Sequence, residues 1–178
     1  MDIGVISVRY ARALLKAATD AKLEDTVYQE MQTLAKSYME VTALKLTVDN
    51  PMLLKDKKKE LLVTACGGSV SVLVDSFLAL VLDEDRENML QFMANSYITL
   101  YRQQKNIIRG KLTTAVAVSP AMEQKMRMMV EGKTMGTVEF ETEVNPDIIG
   151  GFVLEYDTYR LDASVQSQLR GMLSQLGK

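Results

Sequence analysis

Two short runs concentrate the ionisable side chains of this sequence. "KDKKKE" (Lys55–Glu60) sets four lysines beside two acids, and "DEDRE" (Asp83–Glu87) sets four carboxylates around Arg86. A basic run can neutralise phosphates, and a carboxylate cluster can hold magnesium or calcium. Each chemistry needs more than charge. Asp56 and Glu60 dilute the lysines, and a divalent cation needs its ligands wrapped around a glycine turn, which "DEDRE" lacks. Both runs are therefore expected to be solvated helix surface.

The glycine pair Gly150–Gly151, in "DIIGGFVLEYDTYRLDASVQSQL", poses a third question. A phosphate cradle needs glycines at a strand-to-helix turn, with free amides at a helix N-terminus facing the anion. Here Phe152, Val153 and Leu154 continue an extended apolar pattern, and no helix begins until about Ala163. Glycines in that setting mark a bulge or a close backbone approach. The pair is expected to serve the backbone, with Asp162 or Ser164 capping the helix that follows.

Other reactive residues are scarce. The 178 residues contain no histidine, which removes the commonest general base and metal ligand. The single cysteine, Cys66, can form no internal disulfide and no multi-thiolate zinc site, and it is expected to be a small buried apolar residue. No acid/base pair, activated nucleophile or cofactor fingerprint is visible, so no catalytic, cofactor or metal residue is assigned. Net charge is −2, which disfavours broad nucleic-acid binding. The most apolar stretch, "SVLVDSFLALVLDED", is too short and too acidic to span a membrane. "MDIGVISVRYARALLKAA" is read as the start of a folded helix and not as a targeting segment.

The elements that must position these residues fall into two groups. Residues 1–105 read as a bundle of six helices. Ser7 is a candidate N-cap for the first, which carries Tyr10, Ala11, Leu14, Leu15 and Ala18 at helical spacing. The second, with Val27, Met31, Leu34 and Tyr38, is expected to break near Thr42, and "NP" at Asn50–Pro51 is a firm stop. Gly67–Gly68 ends the helix that holds the lysines, and Ser69 is expected to cap the next. That next helix, Ser69–Asp83, is apolar on almost every side, so it is central or has a second partner. The last is a long helix over "RENMLQFMANSYITLYRQQKN", with Met89, Phe92, Met93, Ser96, Ile98 and Leu100 inward. Residues 106–178 read as a small α+β module. They comprise a strand at "IIRGKLTT", a short helix from Ser119 to Gly132 with a Met122, Met126, Met129 stripe, and strands at "TVEFETEV", "IIGGFVLEY" and "YRLD". An amphipathic helix with Val165, Leu169, Met172, Leu173 and Leu176 closes the chain. The fold class is thus mainly α, with a small α+β C-terminal part.

In combination these features resemble the delta subunit family of F-type ATP synthase, whose mitochondrial counterpart is the oligomycin-sensitivity-conferring protein. "VRYARALLKAA", "NP" at Asn50–Pro51 and "SFLALVLDEDRENML" are similar to successive family segments. "VNPDIIGGFVLEYDTYRLDASVQSQLRGML" resembles the most specific one, although Ala163 stands where the family usually has glycine. The resemblance implies a non-catalytic stator subunit at the cytoplasmic face of the bacterial membrane, without cofactors. Residues 1–105 would hold alpha subunits of the catalytic head, and residues 106–178 the b-subunit stalk. A groove between the first and fifth helices, lined by Tyr10, Ala11, Leu14, Phe77, Leu78 and Val81, is the expected seat of an alpha-subunit helix. An all-helical RNA-binding regulator is the alternative, and a small enzyme is disfavoured by the missing site.

Overall fold

The computed structural model describes residues 3–134, 137–156 and 158–176. The chain divides into two compact units, Met1–Gln103 and Gln104–Lys178.

The first unit is built from helices α1 (Ile3–Asp20), α2 (Glu24–Glu40), α3 (Thr42–Val48), α4 (Lys55–Ala65), α5 (Val72–Asp83) and α6 (Leu90–Lys105). A single 3-10 turn, Glu87–Met89, leads into α6. The break after Glu40 and the stop at Pro51 lie where local sequence places them. Gly67 and Gly68 both take positive φ, and their amides donate to the Thr64 and Val63 carbonyls to close α4. Asp85 does the same for α5. It adopts φ 51°, and the Arg86 amide returns to the Val81 carbonyl. The core is continuous apolar packing around Met31, Leu34, Leu62, Leu78, Leu90 and Met93, all essentially without exposed surface.

Several local expectations give way to tertiary context. α1 begins at Ile3, so Ser7 is interior and buried, and its hydroxyl donates to the Ile3 carbonyl one turn back. Ser71, not Ser69, caps α5 by accepting from the Val74 amide. The reason lies in α2. The Glu30 carboxylate, itself buried, accepts from both the Ser71 amide and the Ser71 hydroxyl and pins that residue as the cap. The inward face of α6 is Leu90, Met93, Ala94, Tyr97, Ile98 and Tyr101, while Phe92 is exposed. The two tyrosines can be buried because their hydroxyls donate to the Glu24 carbonyl and the Asp25 carboxylate.

The two charge runs are not simply solvated surface. They meet. Lys55 pairs with Asp85 at 2.8 Å and donates to the Asp83 carbonyl, placing a cation at the C-terminus of α5. Lys59 pairs with Asp75 at 2.9 Å. Lys58, with 4% of its surface exposed, is ion-paired with Glu87 inside the unit. Lys57 keeps to its own helix, bonded to Glu60.

The second unit is a four-stranded sheet in the order β2-β1-β3-β4, formed by β1 (Ile107–Thr114), β2 (Thr137–Val144), β3 (Phe152–Tyr156) and β4 (Tyr159–Asp162). β1 and β2 are parallel, joined through α7 (Pro120–Thr134), and the other pairings are antiparallel. Pro120 opens α7 as its sequence suggests, but Gly132 lies inside the helix. Only Met126 of the methionine stripe is buried. It joins Val130, Leu112, Val138 and Leu154 in the small core, while Met122 and Met129 stay about half exposed. Of the alternating positions on β2, only Val138 is fully buried. The opposite sheet face carries a ladder of exposed ion pairs, Arg109–Glu141, Lys111–Glu143 and Arg160–Glu155. α8 (Val165–Leu176) follows β4.

The Lys58–Glu87 pair yields a first prediction. Removing one partner of a buried pair strands the other charge, which costs about 3–5 kcal/mol, whereas replacing both with apolar residues is far milder. Lys58→Met should therefore lower the stability of the helical unit by roughly that amount, and Lys58→Met/Glu87→Leu should recover most of it. Urea unfolding followed by circular dichroism checks both variants.

Candidate docking surfaces

Tyr10 and Phe77 mark where α1 meets α5. Their rings stand edge to face with centroids 6.4 Å apart. Arg86 fastens the contact. Its guanidinium donates to the Tyr10 hydroxyl at 2.7 Å and lies 5.4 Å from that ring's centroid. Ala11, Leu14, Leu78 and Val81 are buried below, and Phe77 is 8% exposed. Only Tyr10 of the six expected groove residues is partly open. The other five form the floor that joins the two helices, because a contact between packed helices must be filled by the side chains that point along it. A docking helix would meet their neighbours instead. One and two turns beyond Tyr10 stand Ala13 and Ala17, and one turn either side of Phe77 stand Leu73 and Leu80, the last half exposed. This rim is apolar and flanked by small residues.

The glycine pair has a definite geometry. Ile149, Gly150 and Gly151 follow a 3-10 turn, Pro146–Ile148, and precede β3. Gly151 has φ 75°, and a Cβ there would collide with the Ala163 carbonyl oxygen. A Cβ on Gly150 would press on Val165 at 3.1 Å. The backbone is stitched at the same place, by the Ala163 amide to the Phe152 carbonyl and the Val165 amide to the Gly150 carbonyl. The pair lets the start of β3 touch the start of α8. Gly150 and Gly151 also line an apolar cleft of about 580 Å³ with Val116, Met122 and Phe152, and no Lys or Arg is in its lining.

Asp162 and Ser164 share the capping of α8. The Asp162 carboxylate accepts from the Ser164 amide and the Ser167 hydroxyl, and the Ser164 hydroxyl accepts from the Ser167 amide. Ala163 occupies the tight turn without disturbing these bonds. Hydrogen bonds from the Ser164 side chain, then the Ser167 side chain and the Ser164 amide, hold the Asp162 carboxyl down at about 2. Beyond the cap, Leu169, Met172 and Leu173 fall at i, i+3 and i+4 and are 47–68% exposed. α8 thus presents an unpartnered apolar face.

Cys66 is buried, and burial pushes its thiol up to about 12, with the Glu30 carboxylate adding to the shift. Among the described residues no group of three or more His, Cys, Asp or Glu could hold a metal ion. Among the same residues no helix is long and apolar enough to cross a membrane. Three residues matter structurally in ways the sequence did not show. Glu30 and Glu87 carry no local signal of burial. Gly110, in β1, lies directly under the Phe140 ring, where a Cβ would come within 2.5 Å.

Each unit leaves apolar helix surface exposed, at Leu80 in the first and at Leu169, Met172 and Leu173 in the second. The chain belongs to the ATP synthase delta (OSCP) subunit family, whose model matches residues 6–176. It is 48% identical over 176 residues to ATP synthase subunit delta of Phocaeicola vulgatus, covering 98% of this chain and 95% of the relative. It is 41% identical to that of Bacteroides fragilis, covering 98% and 95%. The chloroplastic delta subunit of Pyropia yezoensis is 30% identical, covering 96% and 92%. In fold it is similar to a chain of the Toxoplasma gondii mitochondrial ATP synthase hexamer, with a TM-score of 0.65, 22% identity and 97% coverage of both chains. It is accordingly a peripheral-stalk subunit of ATP synthase, and the RNA-binding alternative has no support.

Two outcomes follow from the second unit's geometry. Gly151→Val should cost the module at least about 2 kcal/mol, because a β-branched residue at positive φ also meets the Ala163 carbonyl. Thermal unfolding of the full chain should show an earlier transition for the second unit and an unchanged one for the helical unit. Asp162 supplies a pH signature. Its folded pKa lies below the unfolded carboxylate value of about 3.9, so its stabilisation is present above pH 4 and is lost as pH falls from about 4 to 2. Asp162→Asn should flatten that part of the stability–pH profile, measured by denaturant unfolding at successive pH values.

Proposed function

We propose that the two units divide the work of a stator clamp. The helical unit holds the catalytic head, taking N-terminal helices of alpha subunits along the α1–α5 seam. The second unit holds the b-subunit stalk, with α8 as the principal contact. The protein contributes no chemistry of its own. It works at the cytoplasmic face of the bacterial membrane and keeps the head still against the torque of the rotor.

The observation that carries this reading is the separation of apolar surface. Leu80 with Ala13 and Ala17 opens on one unit, and Leu169, Met172 and Leu173 open on the other. On α8 the exposed residues keep the i, i+3, i+4 spacing that suits a helical partner, and on α1 Ala13 and Ala17 follow Tyr10 at one and two turns. Exposed apolar faces of this kind mark interaction sites.

Separable loss of the two contacts is the test. Leu80→Asp should weaken binding of an alpha-subunit N-terminal peptide by about tenfold or more and leave binding of a b-subunit fragment intact. Leu173→Asp should do the reverse. Titration calorimetry on the full chain reads both, and a variant that weakens both partners equally would contradict the division of labour. Ala11 is unsuitable for this purpose. It has no exposed surface, so a charged residue there reports unfolding and not docking.

A further inference from the structure

We propose that the outer face of α1 is a second docking surface, which takes an acidic amphipathic helix from another polypeptide. It adjoins the α1–α5 seam at Ala13 but centres on another side of the helix. At about 100° per residue, Val5, Val8 and Arg12 centre on the side of α1 roughly opposite Tyr10, which marks the seam. Gly4, Val5, Val8, Arg9, Arg12 and Lys16 line a shallow cleft there, of about 720 Å³.

Charge selects the occupant. Most basic side chains elsewhere in this unit are engaged, Lys36 with Glu40, the α4 lysines with acids, Arg86 with Tyr10 and Arg102 with Tyr28, while the exposed Lys22 and Lys45 stand apart from one another and form no row. Arg9, Arg12 and Lys16 are exposed and have no acidic partner among the described residues. They fall at i, i+3 and i+7, a single row about two turns long. Beside the row run Val5, 57% exposed, and the half-buried Val8, with Gly4 at one end. A row of cations along a strip of small apolar residues matches a helix whose apolar stripe is edged with Asp or Glu. A lipid surface fits less well. The strip has no Trp, Tyr or Phe to enter the membrane interface, and three cations are fewer than a polybasic membrane anchor carries. Small residues at its ends, Gly4 and Ala13, let a second helix axis come close.

The test uses the assembled ATP synthase, purified in detergent, with the free full-length chain as reference. Acetic anhydride at low dose reports how accessible the Lys16 amine is. Lys16 should acetylate at least about tenfold more slowly in the complex than in the free chain. A water-soluble carbodiimide should couple the Lys16 amine to an Asp or Glu side chain of another subunit, identified by mass spectrometry. Arg9→Glu/Arg12→Glu changes only exposed side chains and should leave the unfolding midpoint of the free chain unchanged. In the complex it should bring Lys16 acetylation back to within about twofold of the free-chain rate. Equal Lys16 rates in complex and free chain would overturn the proposal, as would protection that survives the double substitution. Protection without any coupled carboxylate, lost when bound phospholipid is removed by exhaustive detergent washing, would assign the face to an anionic membrane and also overturn it.

Discussion

The first unit depends on fixing the rotation of α5, a helix with apolar residues on nearly every side. Such a helix has no preferred rotation of its own, since most orientations bury similar area. Its ends settle the matter. At the N-terminus the buried Glu30 carboxylate fixes Ser71 as cap from α2. At the C-terminus Lys55 reaches the Asp83 carbonyl from α4. Lys59 to Asp75 adds a third tie along one flank. The hydrophobic effect is non-directional and gathers these helices, while the charged ties select one rotation. With α5 turned this way, Phe77 meets Tyr10, Leu78 and Val81 go to the floor, and Leu80 remains at the rim.

The second unit meets its own constraint by backbone proximity. Its sheet is short and one edge, β4, has only four residues. The start of α8 is tied to the start of β3 through the Gly150 and Phe152 carbonyls, and Gly151 leaves the space in which this occurs. Ile149, a β-branched residue at φ 68°, is held in the adjoining turn by the Gly150 amide, which donates to the Ile148 carbonyl. A conformation this costly for isoleucine persists only because its surroundings over-determine it. The ties orient α8, and its apolar face is thereby left clear of the sheet.

Much of this was legible in the residues. Asn50–Pro51, Gly67–Gly68 and Pro120 each act through local backbone physics, and the helices and turns they delimit lie where local rules put them. The strands of the module and the apolar face of α8 were legible for the same reason, except that the third strand begins only at Phe152, because Ile149 and Gly151 turn the chain at positive φ before it. What was not legible depended on residues distant in sequence. Glu30 sits among Val27, Met31 and Leu34 and looks like an ordinary helix acid until α5 folds against it. "KDKKKE" and "DEDRE" each look solvated alone, and neither reveals that the other is its counterion. Core and rim of the α1–α5 seam are neighbouring flanks of the same apolar helices, so hydropathy alone cannot separate Leu78 from Leu80. On α6, Met93 and Ile98 turn inward as their spacing suggests, but hydropathy could not show that Tyr97 and Tyr101 would be buried and Phe92 exposed, because the acceptors that satisfy the two hydroxyls lie on α2.

The pairing pattern of the sheet also bears on the order of events during synthesis. Ile107 pairs with Thr137, and Gly110 with Tyr156. The central strand β1 therefore has no partner until a long stretch of later chain has emerged. The helical unit precedes it, and all of its elements have emerged before β1 does. On a ribosome adding residues one by one, the first unit can fold and engage its partner while the second is still an unpaired strand. Under the proposed division of labour, the contact made by the first unit would then form before that made by the second.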